Sequence, residues 1–334
     1  MAVAAAYELL RRLGWPCALQ LAGQSRAIGA SLAVWDIPVL ASGDGVRSPE
    51  RTIISGPPVA VAAPYVPDAA DHRVAQTPVT GPFAAALTEV LGQLGGDPQV
   101  VPAGARVLLK ANFNSYHAPP ASTSLDLLTA VVAELRHAGA AHVALGECSA
   151  IALGRTRGVL ERAGVAQWAR ESEVELVCFD EGEWHSCPVP GRHFHHIVVP
   201  ACLQQYDRLI YLVSPKTHHQ AGVSLGLKMT VGFMHPAQRL ELHRDHLTER
   251  IADVALAVQP HLLIADARQC FITGGPAEGD VAAPGLLLAS RDLCALEEAG
   301  LELLAQHGAT GLELGRQQLA AFRKKGAGEE VLRG

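Results

Sequence analysis

No C-x-x-C pair occurs among the seven cysteines (Cys17, Cys148, Cys178, Cys187, Cys202, Cys270 and Cys294), which are scattered along the chain. That spacing excludes a zinc finger and an ordinary ferredoxin-type run, so no iron–sulfur cluster is expected. Several of them sit in apolar stretches such as LVCFD, where a free cysteine packs as a small hydrophobe. No basic block is longer than the FRKKG near the end, and the formal net charge is -6. A nucleic-acid partner, which needs clustered positive charge, is therefore not expected. No apolar run reaches membrane-spanning length, and MAVAAAYELLRRLGW lacks the basic start and cleavage site of a signal peptide. These absences point away from the membrane and toward a cytoplasmic location. Neither G-x-x-x-x-G-K-[ST] nor G-x-G-x-x-G is present, so no standard nucleotide loop is expected.

What is present is a chain of 334 residues, 49% hydrophobic and 18% charged, enough to build a real core and too apolar for a disordered protein. Residues 1–55 carry a short amphipathic segment (Tyr7 to Leu13) and then Gly-, Ser- and Pro-punctuated text without a sustained period. They read as an N-terminal extension, either an appended subdomain or a stretch without regular order. Residues 56–310 read as one α/β domain, and residues 311–334 as a C-terminal helix or tail.

Within that domain a rhythm sets in. VAVAAPYV is a strand pattern and PFAAALTEVLGQLGG a helix. ARVLLK, AHVALGE, VELVCFD, RLIYLVSPK, HLLIAD and GLLLAS are short apolar runs, separated by helix-like segments. TSLDLLTAVVAELRHAG puts Leu125, Leu128, Val132 and Leu135 on one face, with Thr123-x-x-Asp126 in the form of a capping box. TRGVLERAGVAQWARES and HRDHLTERIADVALAV read as further helices. Strands apolar throughout, alternating with helices, predict an α/β fold: a mostly parallel, doubly wound sheet with helices on both faces.

Lys110, Glu147, Asp180, Lys216 and Asp266 each follow an apolar strand directly. In a parallel sheet those ends share one edge, where ligands bind at a switch point. Asp180, followed by EGEW, reads best as a cap. KANFNS places Lys110, Asn112 and Asn114 two apart, suited either to an anionic or carbonyl-bearing ligand or to an asparagine-stabilised turn. SPKTHHQAGVSLGLKMTVGFMH sets Lys216, Lys228, His218, His219 and His235 among core-like residues, and burying cations is costly without an anion. Gly222, Ser224 and Gly226 read as an anion cradle of open backbone N–H groups. His243 and His246, three apart on an expected helix, could share a metal, although Arg239, Arg244 and Arg250 argue for an anion contact or a solvated face first. TGGPAEGD, with Gly274 and Gly275, is a tight loop that could let backbone approach a ligand.

In their order, VLLKANFNSYHAPPASTSLDLLTAVVAELRHAGA, LGECS, LIYLVSPKTHHQAGVSLGLKMTVGFMHP, IADARQCFITGGPAEGD and LLASRD resemble the family called domain of unknown function 362. The resemblance covers roughly residues 57–305. It implies the same positions that strand-end logic selects, and no reaction. Family members with ferredoxin-type cysteine clusters differ from this chain, which has no such spacing.

Two classes of function fit. The first is an enzyme acting on a small anionic metabolite, with Glu147, Lys216, His218 and Asp266 as catalytic candidates. Lys110, Asn112, Asn114, Ser224, Lys228, Gly274 and Gly275 would bind the ligand. A divalent metal on Glu147, Asp266 and His218 is one version of it. The second is a non-catalytic ligand-binding or redox-partner protein. A homo-oligomer is compatible with either.

Overall fold

The computed structural model describes residues 72–96 and 101–332, with side chains through residue 324. The extension expected over residues 1–55 and the strand pattern VAVAAPYV lie outside the described residues.

Seven strands make the main sheet, in the order β1 (Val74–Pro78), β13 (Leu286–Ser290), β10 (Leu262–Ala267), β7 (Arg208–Val213), β2 (Arg106–Lys110), β3 (His142–Glu147) and β4 (Glu175–Cys178). From β10 to β4 every pairing is parallel. The β13 strand alone runs against both of its neighbours. The expected α/β architecture is thus present, with one reversed strand near an edge.

Each parallel strand is apolar throughout because it faces a core on both sides. Val107 and Leu109 of β2, Leu145 of β3 and Ile264 of β10 pack into one core. Helices α1 (Phe83–Gln93), α2 (Leu125–His137), α3 (Thr156–Arg162) and α4 (Val165–Glu171) cover it with Leu87, Leu128, Leu160 and Trp168. The alternate residues Leu108, Ala144, Tyr211 and Leu263 enter a second core. That core is closed by α5 (Gly226–Met229), α6 (Pro236–Leu242), α7 (Leu247–Ala255), α8 (Leu293–Gln306) and α9 (Glu313–Leu332). The C-terminal segment from residue 313 is a helix. Each fully buried leucine or valine adds roughly 1.5–3 kcal/mol, so the sheet is held from both faces.

Local details depart from the sequence reading in three places. TRGVLERAGVAQWARES is two helices, because Gly164 takes a left-handed φ of 75° between them. The capping box before α2 does not form: Thr123 Oγ1 accepts from Asn112 N at 2.8 Å, and Leu125, first in the helix, is exposed. His243 and His246 do not share a helix. His243 ends α6 and His246, with a φ of 47°, precedes α7.

Above the carboxyl edge stands a second sheet, in the order β12 (Val281–Ala282), β11 (Cys270–Phe271), β8 (Lys216–His218) and β9 (Gly222–Ser224). A third, two-stranded ribbon pairs β5 (Trp184–Pro188) with β6 (His196–Pro200). No helix among the described residues is long and apolar enough to cross a membrane.

Candidate functional site

The chain reverses its direction of travel across the sheet between β2 and β7. From β2 it moves outward to β3 and β4, then returns to β7 and β10 on the other side. The carboxyl ends of β2 and β7 therefore flank the switch point, where a crevice opens in folds of this kind. Lys110 closes β2, and Ser214 and Lys216 follow β7.

On the β2 side the charges are matched. Lys110 Nζ lies 2.7 Å from Glu147 Oε1, and both side chains are almost wholly buried. Glu147 also accepts from Phe113 N at 2.7 Å and Cys148 N at 2.8 Å. Burial pulls the Lys110 amine below its ordinary range, while Glu147 acts against that fall. Gly232 seals the pair, since a Cβ there would come within 2.5 Å of Lys110 Cε. This geometry ties the loop after β2 to the end of β3. Asn112 lies beside it, 8% exposed, with a buried Nδ2 that has no partner. Asn114 is exposed and gives its carbonyl to Ala150 N.

Asp180 and Asp266 are engaged elsewhere. Asp180 Oδ2 accepts from Thr156 N at 3.1 Å and so caps α3 from across the edge. Asp266 is held by Arg268 at 2.6 Å and by Ser124 Oγ at 3.1 Å, and Arg268 also grips Asp126. That guanidinium holds the Asp126 carboxyl down to about 2. Glu147, Asp266 and His218, the expected metal set, thus have separate partners. Among the described residues no three His, Cys, Asp or Glu groups gather as a metal ion requires.

On the β7 side the cations are unmatched. Lys216 is 1% exposed, and its Nζ donates to the carbonyls of Pro120 and Ser214, each at 3.3 Å. Among the described residues no carboxylate pairs with it, and burial lowers its pKa to about 7. Lys228, half-buried on α5, forms no ion pair among the described residues. Burial and the nearby Arg239 lower it to about 8. Between them stands His218, half-buried, whose Nδ1 accepts from Gln220 N at 3.2 Å and Ala221 N at 3.3 Å. Its neutral ring therefore carries the hydrogen on Nε2. Burial first, then Lys228, His219, His243 and Lys216, hold His218 well below the usual imidazole range. His243, whose Nδ1 bonds to Arg239 O, is lowered to about 4 by burial and by Lys228. His219 is exposed at the mouth, stacked on His218 and bonded through Nδ1 to Gly275 O at 2.8 Å. Along this stretch Lys216 is thus buried, His218 half-buried and His219 exposed.

Two expected backbone contacts have other occupants. At the far end of the expected cradle Glu297 of α8 accepts through Oε2 from Leu227 N at 2.8 Å, while Gly222 and Ser224 pair with His218 and Lys216 in the β8–β9 ladder. Burial raises that carboxyl to about 8, against the pull of the Leu227 and Gly226 amides. In TGGP, Gly275 has a φ of 71°, and a Cβ would fall 1.9 Å from Thr217 O. The glycine is required by packing on β8, so the loop positions His219 rather than exposing backbone.

Sequence reasoning passed over two organising arginines. Arg239 donates to the carbonyls of Met234, Ser149 and Gly232, joining α6 to the loop after β3. It had been noticed only as a cation near histidines, and nothing local marks its acceptors. Arg268 is legible in hindsight, because it stands two residues beyond Asp266 in DARQ.

An α/β scaffold with its polar groups at the strand switch point defines the class of protein. The chain belongs to the family described as a domain of unknown function (DUF362), whose profile matches residues 107–302. It is also similar to the thylakoid-associated protein sll1697 of Synechocystis sp., 28% identical over 238 residues, which span 69% of this chain and 72% of that protein.

Proposed function

We propose that this protein is an enzyme that holds a small anionic metabolite in the recess around His218, with Lys216 as its proton-exchanging group. One observation carries the reading: charge without counter-charge. Lys216 and Lys228 form no ion pair among the described residues, and the groups that shift His218 include no carboxylate. Lys110, a short distance along the same edge, has Glu147. Buried cations left uncompensated destabilise a fold, so a recess that keeps two of them is suited to an anion supplied from outside. An amine with a pKa near 7 exists in both protonation states at neutral pH, which suits general acid–base work.

A non-catalytic binding protein is the second reading. It is favoured by the chemistry of Cys148, a thiol next to Glu147 in the chain, which burial pushes up to about 11 and so makes a poor nucleophile. A cytoplasmic location is part of the proposal, and fractionation of cells would separate it from the thylakoid association named for the Synechocystis protein.

Thermal unfolding with a panel of small mono- and dianions tests the reading. An anion at about 100 times its dissociation constant should stabilise the wild type by about 2.7 kcal/mol. The Lys228→Met variant should lose that response. A wild type indifferent to every anion in the panel would overturn the proposal.

A further inference from the structure

We propose that the turn between β8 and β9 presents its two stacked histidines in opposite tautomers, His218 as a donor and His219 as an acceptor, with Gln318 of α9 as the positioning residue for His218. What the pair does for a ligand rests on the anion-site reading above, but the tautomers do not. The rings stack with centroids 5.1 Å apart and planes 16° apart, yet they face different partners. His218 Nδ1 meets two N–H groups, Gln220 N at 3.2 Å and Ala221 N at 3.3 Å. An N–H only donates, so this Nδ1 holds a lone pair and Nε2 the hydrogen. His219 Nδ1 meets the carbonyl oxygen of Gly275 at 2.8 Å. A carbonyl only accepts, so here Nδ1 holds the hydrogen and Nε2 of the neutral ring the lone pair. Burial first, then Lys228, His219, His243 and Lys216, act against protonating His218 and so keep the donor neutral.

A tautomer set by amides two and three residues further on depends on the shape of the turn, and α9 fixes that shape. Gln318, wholly buried, donates through Nε2 to Ala221 O. Gly222, which pairs with His218, has a φ of 78°, and a Cβ there would fall 2.8 Å from Leu314 Cβ. A Cβ on Gly315 would fall 2.6 Å from Val223 Cγ2. The helix therefore lies directly on the turn and on β9. Gln318 Oε1 is buried without a partner among the described residues. A half-satisfied buried amide is costly, so what Gln318 contributes is its hold on the Ala221 carbonyl. On the other side, Gly275 O also accepts from His219 N, at 3.4 Å.

A fixed N–H beside a fixed lone pair can engage an acceptor and a hydrogen of one ligand, as general acid–base work requires. His219, exposed at the surface, is then the proton acceptor of the site and His218 its neutral donor.

The test is imidazole nitrogen NMR of the isotopically labelled full chain, in anion-free buffer at about pH 8, above the ordinary imidazole range. His218→Asn and His219→Asn variants assign the signals. The wild type should carry the His218 hydrogen on Nε2 and the His219 hydrogen on Nδ1. Both rings in the same tautomer would overturn the pair. Gln318→Leu should leave His219 as it is and move His218 toward averaged tautomers. The same change should raise the pH at which His218 protonates by about half a unit or more, because bonds that favour its neutral form are loosened. Gln318→Met carries the same expectation if the leucine variant does not fold. A folded Gln318 variant with wild-type His218 signals and midpoint would overturn the positioning role. Opposite tautomers in a chain indifferent to every anion would overturn the anion site and leave the pair standing.

Discussion

Lys110 ends β2 and Lys216 opens β8 just beyond the neighbouring β7, and the two lysines meet opposite fates. Lys110 has a carboxylate at 2.7 Å in a dry setting. Removing one partner of such a pair leaves a bare buried charge, so Glu147→Gln should cost about 3–5 kcal/mol in denaturant unfolding. A loss under about 1 kcal/mol would mean that water reaches the pair. For Lys216 the sign is reversed. Its folded pKa of about 7 lies below the ordinary lysine value of 10.5, so the unfolded chain holds more protons between those values. Stability should therefore rise with pH across that window, and the full penalty of charging stands below pH 7. In anion-free buffer, Lys216→Met should stabilise the fold at about pH 6 by on the order of 3 kcal/mol and flatten the rise above neutrality. An unchanged pH slope in the variant would show that the amine reaches solvent. The expectation that Glu147 and Asp266 offset Lys216 is replaced by this one, because those carboxylates belong to Lys110 and Arg268. Strand-end positions were legible residue by residue. Which charge met which was not, because pairing is decided by loops from distant parts of the chain.

At the scale of elements, the short α5 turn that carries Lys228 is pinned from below by Glu297. Its carboxyl titrates at about 8 in the folded state, above the ordinary 4.5, so the folded chain keeps a proton that the unfolded chain has lost. Stability from this group should fall as pH rises from about 4.5 to 8, and Glu297→Gln should remove that fall. Unfolding at several pH values checks it, and a variant with the wild-type slope would contradict it. The TGGP loop is the second support. Gly275→Ala adds a Cβ 1.9 Å from Thr217 O at a φ of 71°, so β8 must move. A loss above about 2 kcal/mol is expected, together with weaker anion binding, because His219 loses its Gly275 anchor. The long elements are readable from their periods: Phe83–Gln93, Arg106–Lys110 and Leu125–His137 fall inside PFAAALTEVLGQLGG, ARVLLK and TSLDLLTAVVAELRHAG. The second sheet was not, because strands of two or three residues such as Cys270–Phe271 and Gly222–Ser224 carry no period at all. Its presence moves Lys216 from the end of one strand to the start of another, and that shift creates the recess.

For the molecule as a whole, one topological fact organises the rest. The strand order reverses between β7 and β2, with a self-matched polar cluster on one side and an unmatched cationic one on the other. Continuous apolar strands made the mostly parallel sheet legible, but the reversed β13 was not, since a strand buried on both faces reads alike in either direction. Residues 1–55 show neither the strand–helix rhythm nor the family resemblance. A variant lacking them should therefore keep a single cooperative unfolding transition, and a molten product would assign those residues to the cores. The most direct measurement for the central claim is a crystal structure of the full chain grown with the small anion that most raises its thermal stability. The account expects that anion within hydrogen-bonding distance of His218 Nε2 and of Lys216 Nζ or Lys228 Nζ. A carboxylate of the chain itself seated among those three atoms would contradict it.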